Sequence, residues 1–217
     1  MGRLCCAFGN TADQHFDAKK VEKELAQYRK KGPGPTTRGL RDGLRSAGLR
    51  EGTLLDIGGG LGILSLELLD AGFSRAIVVD ASSAYLAAAG EEATRRGRSA
   101  STEFVYGDFL LVARRLAPSS VVTLDRVVCC YPLYEPLLEQ ALALARTGFA
   151  VSYPRDRWFV RMGIWLENAM RRRSGNPFRT FVHPPSEMMR IIERAGFRLA
   201  SRRRTLAWSC DVFVKVR

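Results

Sequence analysis

Two rhythms of apolar residues alternate along this chain. Between Asp17 and Lys31, the positions Ala18, Val21, Leu25 and Tyr28 recur at helical spacing among charges, which predicts an amphipathic helix. Gly32-Pro33-Gly34-Pro35 breaks it, and a second helix is expected over Thr36 to Ala47, ending near Gly48. From Thr53 the pattern changes. Thr53-Leu54-Leu55 reads as a buried strand followed by a leucine-rich helix to about Leu69. The strand signature returns at 75–79, 102–106, 120–124 and 149–152, with helices expected over 83–96 and 135–145. Strands alternating with helices predict an α/β domain whose mostly parallel sheet is covered on both faces. Residues 1–50 precede the first strand and are expected to form a helical extension or lid, leaving 51–217 as the main domain.

The chemistry-bearing residues gather at the strand ends. Asp56, Gly58, Gly60 and Gly62 form D-x-G-x-G-x-G between the first strand and its helix. Glycines there allow a sharp turn and close approach of a ligand, and the amides at a helix start favour electron-rich groups. Asp56 suits an ammonium or ordered water. Asp80 ends the second strand 24 residues later, about where a βαβ unit places an acid that accepts both hydroxyls of a ribose. Asp108 follows the third strand and can accept from an adenine amino group beside Phe109, or simply cap a short helix. Asp125 ends the fourth strand. Ligands on such sheets bind beyond these carboxyl ends.

Composition narrows the partners. With 217 residues and 46% hydrophobic content the chain suits one domain with a full core. No apolar run approaches a membrane span, and the first residues lack the apolar core of a signal peptide, so a cytoplasmic protein is expected. The net charge of +12 invites nucleic acid, yet 28 of the 34 basic residues are arginines scattered along the chain, and nucleic acid is not the expected partner. The runs Arg171-Arg172-Arg173 and Arg202-Arg203-Arg204 read as solvated faces. Cys5, Cys6, Cys129, Cys130 and Cys210 show neither C-x-x-C nor a nearby histidine at zinc spacing, so reduced thiols without a metal are expected. Met1-Gly2 departs from the myristoylation pattern at Cys6. The sequence says nothing of oligomeric state.

DIGGGLG, VVDAS, YGDF and LDRVV together resemble, in order and interval, the successive motifs of class I S-adenosylmethionine (SAM) dependent methyltransferases over about residues 53–152. The resemblance implies a Rossmann-like seven-stranded sheet closing in an antiparallel hairpin, for which 196–204 and 205–216 are candidates. It also implies that Gly58, Gly60 and Gly62 cradle the methionine part of SAM, that Asp80 with the following Ala81 holds the ribose, and that Asp108 and Phe109 flank adenine. A closer resemblance is to the magnesium-protoporphyrin O-methyltransferase group, through Tyr131-Pro132, Ser152-Tyr153-Pro154 and the stretch from Arg179 to Phe197 containing His183. Where that group carries a histidine before Tyr-Pro, this chain has Cys130.

The implied activity is methyl transfer to a small-molecule acceptor, O-directed, on a carboxylate or hydroxyl of an extended aromatic or apolar compound. A carboxylate is already ionised at neutral pH and needs no base, whereas a hydroxyl usually does. His183, Cys130 and Tyr131 are the catalytic candidates, His15 being incidental. For the acceptor, Arg126 and Arg155 offer guanidinium clamps, or surface ion pairs, and Tyr28 and Tyr153 are further candidates. Trp158, Phe159, Ile164, Trp165 and Leu166 at helical spacing suit either core packing or acceptor binding in a segment at about 154–185. Cys129-Cys130, with Cys5-Cys6, leaves open a thiol or metalloid acceptor. RNA methylation and a non-catalytic SAM-binding module are further alternatives, although no N-P-P-Y-like or Pro-Cys motif follows the fourth strand. A nicotinamide fingerprint would want glycine where Ile63 stands.

Overall fold

A computed structural model describes residues 18–216. In chain order the elements are α1 (Ala18–Lys31), α2 (Pro35–Ser46), β1 (Thr53–Ile57), α3 (Ile63–Asp70), β2 (Arg75–Asp80), α4 (Ser83–Arg95), β3 (Thr102–Tyr106) and α5 (Phe109–Val112). They continue with β4 (Ser119–Asp125), α6 (Tyr134–Ala143), β5 (Ala145–Pro154), α7 (Trp158–Arg173), α8 (Pro185–Arg194), β6 (Phe197–Arg204) and β7 (Trp208–Lys215). The strands form one sheet in the order β3-β2-β1-β4-β5-β7-β6. Neighbours from β3 to β5 pair in parallel, while β7 runs antiparallel to both β5 and β6. This is the Rossmann-like sheet with its closing hairpin that the motifs imply.

Strand order reverses at β1, whose neighbours are β2 on one side and β4 on the other. Chain leaving β1 turns one way and chain leaving β4 the other, which opens a crevice at the strands' carboxyl ends. The central strands are apolar almost throughout because helices cover both faces. One face packs Leu55, Val122, Phe149 and Val151 against Leu137, Leu138 and Met188 from α6 and α8. The other packs Leu54, Val121 and Ala150 against Leu40, Leu44, Leu64 and Leu68 from α2 and α3.

The two leading helices have different places. Leu40 and Leu44 of α2 are fully buried, and α2 lies so close to β7 that a Cβ on Gly39 would stand 2.9 Å from Cys210 Sγ. A side chain there would fit only if Cys210 shifted. A Cβ on Gly43 would likewise meet Val212 at 2.8 Å. α2 is thus a layer of the core. α1 packs Val21, Leu25 and Tyr28 against Leu61, Tyr85 and Ala88, on the side where the crevice opens.

Three expectations need correction. β5 begins at Ala145 rather than Phe149, because Ala145 already pairs with Ser119, and α6 accordingly ends at Ala143. The arginine runs are not uniformly solvated. Arg171 turns inward to Glu167 (2.5 Å) and Thr180 (2.7 Å), and Arg202 donates at 2.9 and 2.8 Å to the fully buried Asp211. Asp211 also accepts from Tyr153 Oη at 2.7 Å and Ser209 Oγ at 2.8 Å, so the buried charge is paired and fully hydrogen-bonded. Third, the aromatic stripe of α7 is not core: Val160 is that helix's one buried residue, while Trp158 and Trp165 stand in solvent.

Candidate functional site

The crevice at the β1–β4 switch holds a cavity of about 340 Å³, enough for a ligand of cofactor size. Its floor is the glycine turn. Gly58, Gly60 and Gly62 all take positive φ (61°, 54° and 67°), a backbone that disfavours side chains. A Cβ at Gly58 would also meet Val127 at 2.6 Å. The turn is stitched to β2: Gly58 N donates to Val79 O at 2.7 Å and Gly60 N to Asp80 Oδ2 at 2.8 Å.

The four strand-end acids all line the cavity, and their surroundings differ. Asp56 is buried beneath the turn, where its carboxylate accepts from Ser65 Oγ at 2.8 Å and Thr123 Oγ1 at 2.6 Å. Burial disfavours the charged form and pushes its pKa up to about 7, against the pull of those two hydroxyls. Asp80 sits half-buried on the next strand, its Oδ1 accepting from Ser82 N at 2.8 Å. Asp125 is tied on both oxygens, to Thr37 Oγ1 of α2 and Ser152 Oγ of β5, each at 2.6 Å. It anchors α2 to the sheet as well as facing the cavity.

Asp108 is the unusual one. Its Oδ1 caps α5 through Leu110 N (3.1 Å) and accepts from Tyr131 Oη at 2.5 Å, while Oδ2 is buried without a hydrogen-bond partner among the described residues. Burial raises its pKa. A carboxylate oxygen left in that condition costs free energy unless a donor arrives. The buried Phe109 ring beside it also lines the cavity, as does Ala81.

The loop after β4 forms the outer wall. Arg126 has φ 62°, the one non-glycine positive φ among the described residues, and its exposed side chain lies at the cavity edge. Cys129 and Cys130 line the same wall with their sulfurs 3.6 Å apart. Their shared hydrogen bond lowers the pKa of Cys130 and raises that of the buried Cys129. Tyr131 lines the wall with its hydroxyl committed to Asp108.

The remaining candidates lie elsewhere. The His183 ring stacks on Tyr134 (4.3 Å between centroids) and Phe181 (5.6 Å) and does not line the cavity. Its Nε2 faces two carbonyls, Val128 O at 3.0 Å and Tyr131 O at 3.1 Å, so this nitrogen carries the proton and donates to both. His183 therefore holds the cysteine loop from behind. Tyr28 accepts from Arg96 at 2.6 Å, Tyr153 bonds Asp211, and Arg155 donates to Thr205 O at 3.0 Å. None of these lines the cavity, nor does Trp158. His15, Cys5 and Cys6 lie outside the described residues.

Several wall residues carry no motif in the sequence. Lys20 and Glu24 of α1 line the cavity, with Glu24 accepting from Tyr85 Oη at 2.6 Å. Glu167 and Arg171 of α7, Phe178 and Thr180 from the segment beyond it, and Trp208 of β7 complete the outer side. In the sequence Lys20, Glu24, Glu167 and Arg171 show only as charges on helices, and nothing marks Phe178, Thr180 or Trp208.

No family model matches the chain, and no curated protein matches it by sequence. Solved structures do match. The magnesium protoporphyrin IX methyltransferase of Synechocystis PCC 6803 with bound S-adenosylhomocysteine (SAH) superposes with a TM-score of 0.74 at 17% identity, over 94% of this chain and 98% of that one. An O-methyltransferase family protein from Burkholderia thailandensis gives 0.72 at 13% identity, over 95% and 61%. Human N-acetylserotonin methyltransferase in complex with SAM gives 0.63 at 16% identity, over 93% and 57%. At these identities the likeness is one of fold, and the chain has the fold of these methyltransferases.

Proposed function

We propose that this chain is a SAM-dependent methyltransferase acting on a small-molecule acceptor, O-directed, on a carboxylate or hydroxyl. The carrying observation is Asp108 Oδ2, a buried acceptor without a partner among the described residues, beside Phe109 and two residues past the end of a strand whose neighbour ends in Asp80. An adenine amino group supplies the donor that oxygen lacks, and a ribose supplies hydroxyls for Asp80. The positive-φ glycines leave room for the ligand's methionine end against bare backbone. When bound, SAM would supply a methyl group activated by its sulfonium.

The chain's own part is to hold, orient and shield. In-line displacement depends mainly on alignment of donor and acceptor. Asp80 and Asp108 would fix the nucleoside, Asp56 and the glycine turn the methionine end. Glu24 and Lys20 of α1 would cover the cavity from the amino-terminal side, which is the lid role for that helix. Arg126 at the cavity edge would orient an anionic acceptor. A carboxylate there needs no deprotonation, in keeping with His183 being turned to two backbone carbonyls behind the wall.

Titration calorimetry with SAM and SAH, followed by transfer of labelled methyl to a panel of carboxylic acids and phenols, tests the reading. Binding plus turnover on a carboxylate or phenol is expected. Binding without turnover on any acceptor favours a cofactor-sensing module, and no binding ends the assignment. A second reading, transfer to a thiol or metalloid, is favoured only by the paired sulfurs on the cavity wall. Loss of all turnover in Cys130→Ser would support it.

A further inference from the structure

Helix α7 carries an apolar row on its outer side. Val160 is buried and Phe159 and Ile164 are half-buried, but five other apolar side chains, Trp158, Met162, Trp165, Leu166 and Met170, recur at i, i+4, i+7, i+8 and i+12, the spacing of one helical face. In a core helix that face is buried. Here the five are 74%, 57%, 64%, 53% and 58% exposed. The charged pair Glu167 and Arg171 points the other way, into the wall of the cavity. Single exposed apolar residues are ordinary on a protein surface, whereas a contiguous row of this size marks a binding face.

We infer that this outward face of α7 docks on an anionic lipid surface, lying in the headgroup boundary without crossing the bilayer. Three observations select that occupant. First, the row is led by two tryptophans, whose amphipathic rings favour the interface between headgroups and acyl chains. Second, arginines border it: Arg157 precedes the helix, and Arg172 and Arg173 close it, all exposed and without an ion pair among the described residues. Together with a chain charge of +12, they complement acidic headgroups. Third, no described helix is long and apolar enough to cross a membrane, so the face can lie on a bilayer but not span it. The inference does not depend on the methyl-transfer reading, since it concerns the side of α7 opposite Glu167 and Arg171. If both hold, the docked helix would set the cavity's outer wall beside the lipid.

Co-sedimentation of the full chain with vesicles of phosphatidylcholine and phosphatidylglycerol, against vesicles of phosphatidylcholine alone, tests it. Partition onto the acidic vesicles is expected, weakened by salt and accompanied by a blue shift of tryptophan emission. Trp158→Ser with Trp165→Ser should lower that partition at least about tenfold while leaving the thermal melting curve in place. Arg172→Gln with Arg173→Gln should lower it and flatten its salt dependence. Failure to bind acidic vesicles at low salt, or partition unchanged in the tryptophan variant, overturns the inference. So does a dimer in sedimentation velocity that the tryptophan variant dissolves while vesicles remain unbound, because a second copy would then be the occupant.

Discussion

Tyr131 and Asp108 lie 23 residues apart and meet in a 2.5 Å hydrogen bond that occupies one carboxylate oxygen of Asp108, while the other has no partner among the described residues. The loop after β4 thereby orients the acid that follows β3. Tyr131→Phe should weaken SAH binding about three- to tenfold, the net worth of one ordinary hydrogen bond, because Tyr131 acts on the ligand only through Asp108, with a smaller effect on melting. Asp108→Ala should weaken it more. Calorimetry on both variants decides; equal affinity in Asp108→Ala would remove the adenine assignment.

Asp80 has a double task, since it tethers the glycine turn through Gly60 N and faces the cavity. Asp80→Ala should raise the dissociation constant for SAM at least about tenfold, whereas Asp80→Asn keeps one acceptor oxygen and should lose less. Titration of both variants checks the order.

Arg126 holds a left-handed backbone that L residues adopt at a cost of about 1–2 kcal/mol. Arg126→Gly relieves that strain while loosening the unfolded chain, so stability should stay within about 1 kcal/mol of the parent. Turnover of an anionic acceptor should fall at least about tenfold through KM, and turnover of a neutral acceptor should not. A matching loss on both acceptors would remove the guanidinium clamp.

Burial lowers the pKa of His183 below the ordinary 6.5. Its neutral form is favoured on folding, so its contribution is complete above the unfolded value near 6.5 and is lost as pH falls toward the lower folded value. Asp56 has the opposite sign. Its folded pKa near 7 against an ordinary 3.8 means that its contribution is full below 3.8 and is lost as pH rises toward 7. Urea melts across this window should therefore show His183→Phe, which keeps the stacking with Tyr134 and Phe181, losing the acid-side decline while the Asp56 component persists.

The fold was legible because the chain alternates buried runs with helices, and the ends of those runs coincide with Asp56, Asp80, Asp108 and Asp125. All four acids line one cavity at the carboxyl ends of the strands. Their individual burdens were not legible. No spacing rule shows that Thr37 and Ser152 saturate Asp125, or that Asp108 keeps an oxygen idle, because such partners come from strands and helices distant in sequence. The acceptor side was harder still. Tyr28, Tyr153 and Arg155 are candidates by their place along the chain, yet each is claimed by Arg96, Asp211 or a backbone carbonyl. Arg171 sits in a run that resembles a solvated face and instead turns into the wall.

The latch between Thr37 and Asp125 bears on where this protein can be shortened. Trimming the chain at residue 50 looks harmless on paper, as it spares every motif. It would nevertheless peel Leu40 and Leu44 off the sheet, bare Cys210 and Val212, and orphan the acid at the tip of β4. The smallest autonomous piece must therefore start ahead of Pro35, so α2 shares its fate with the domain it precedes.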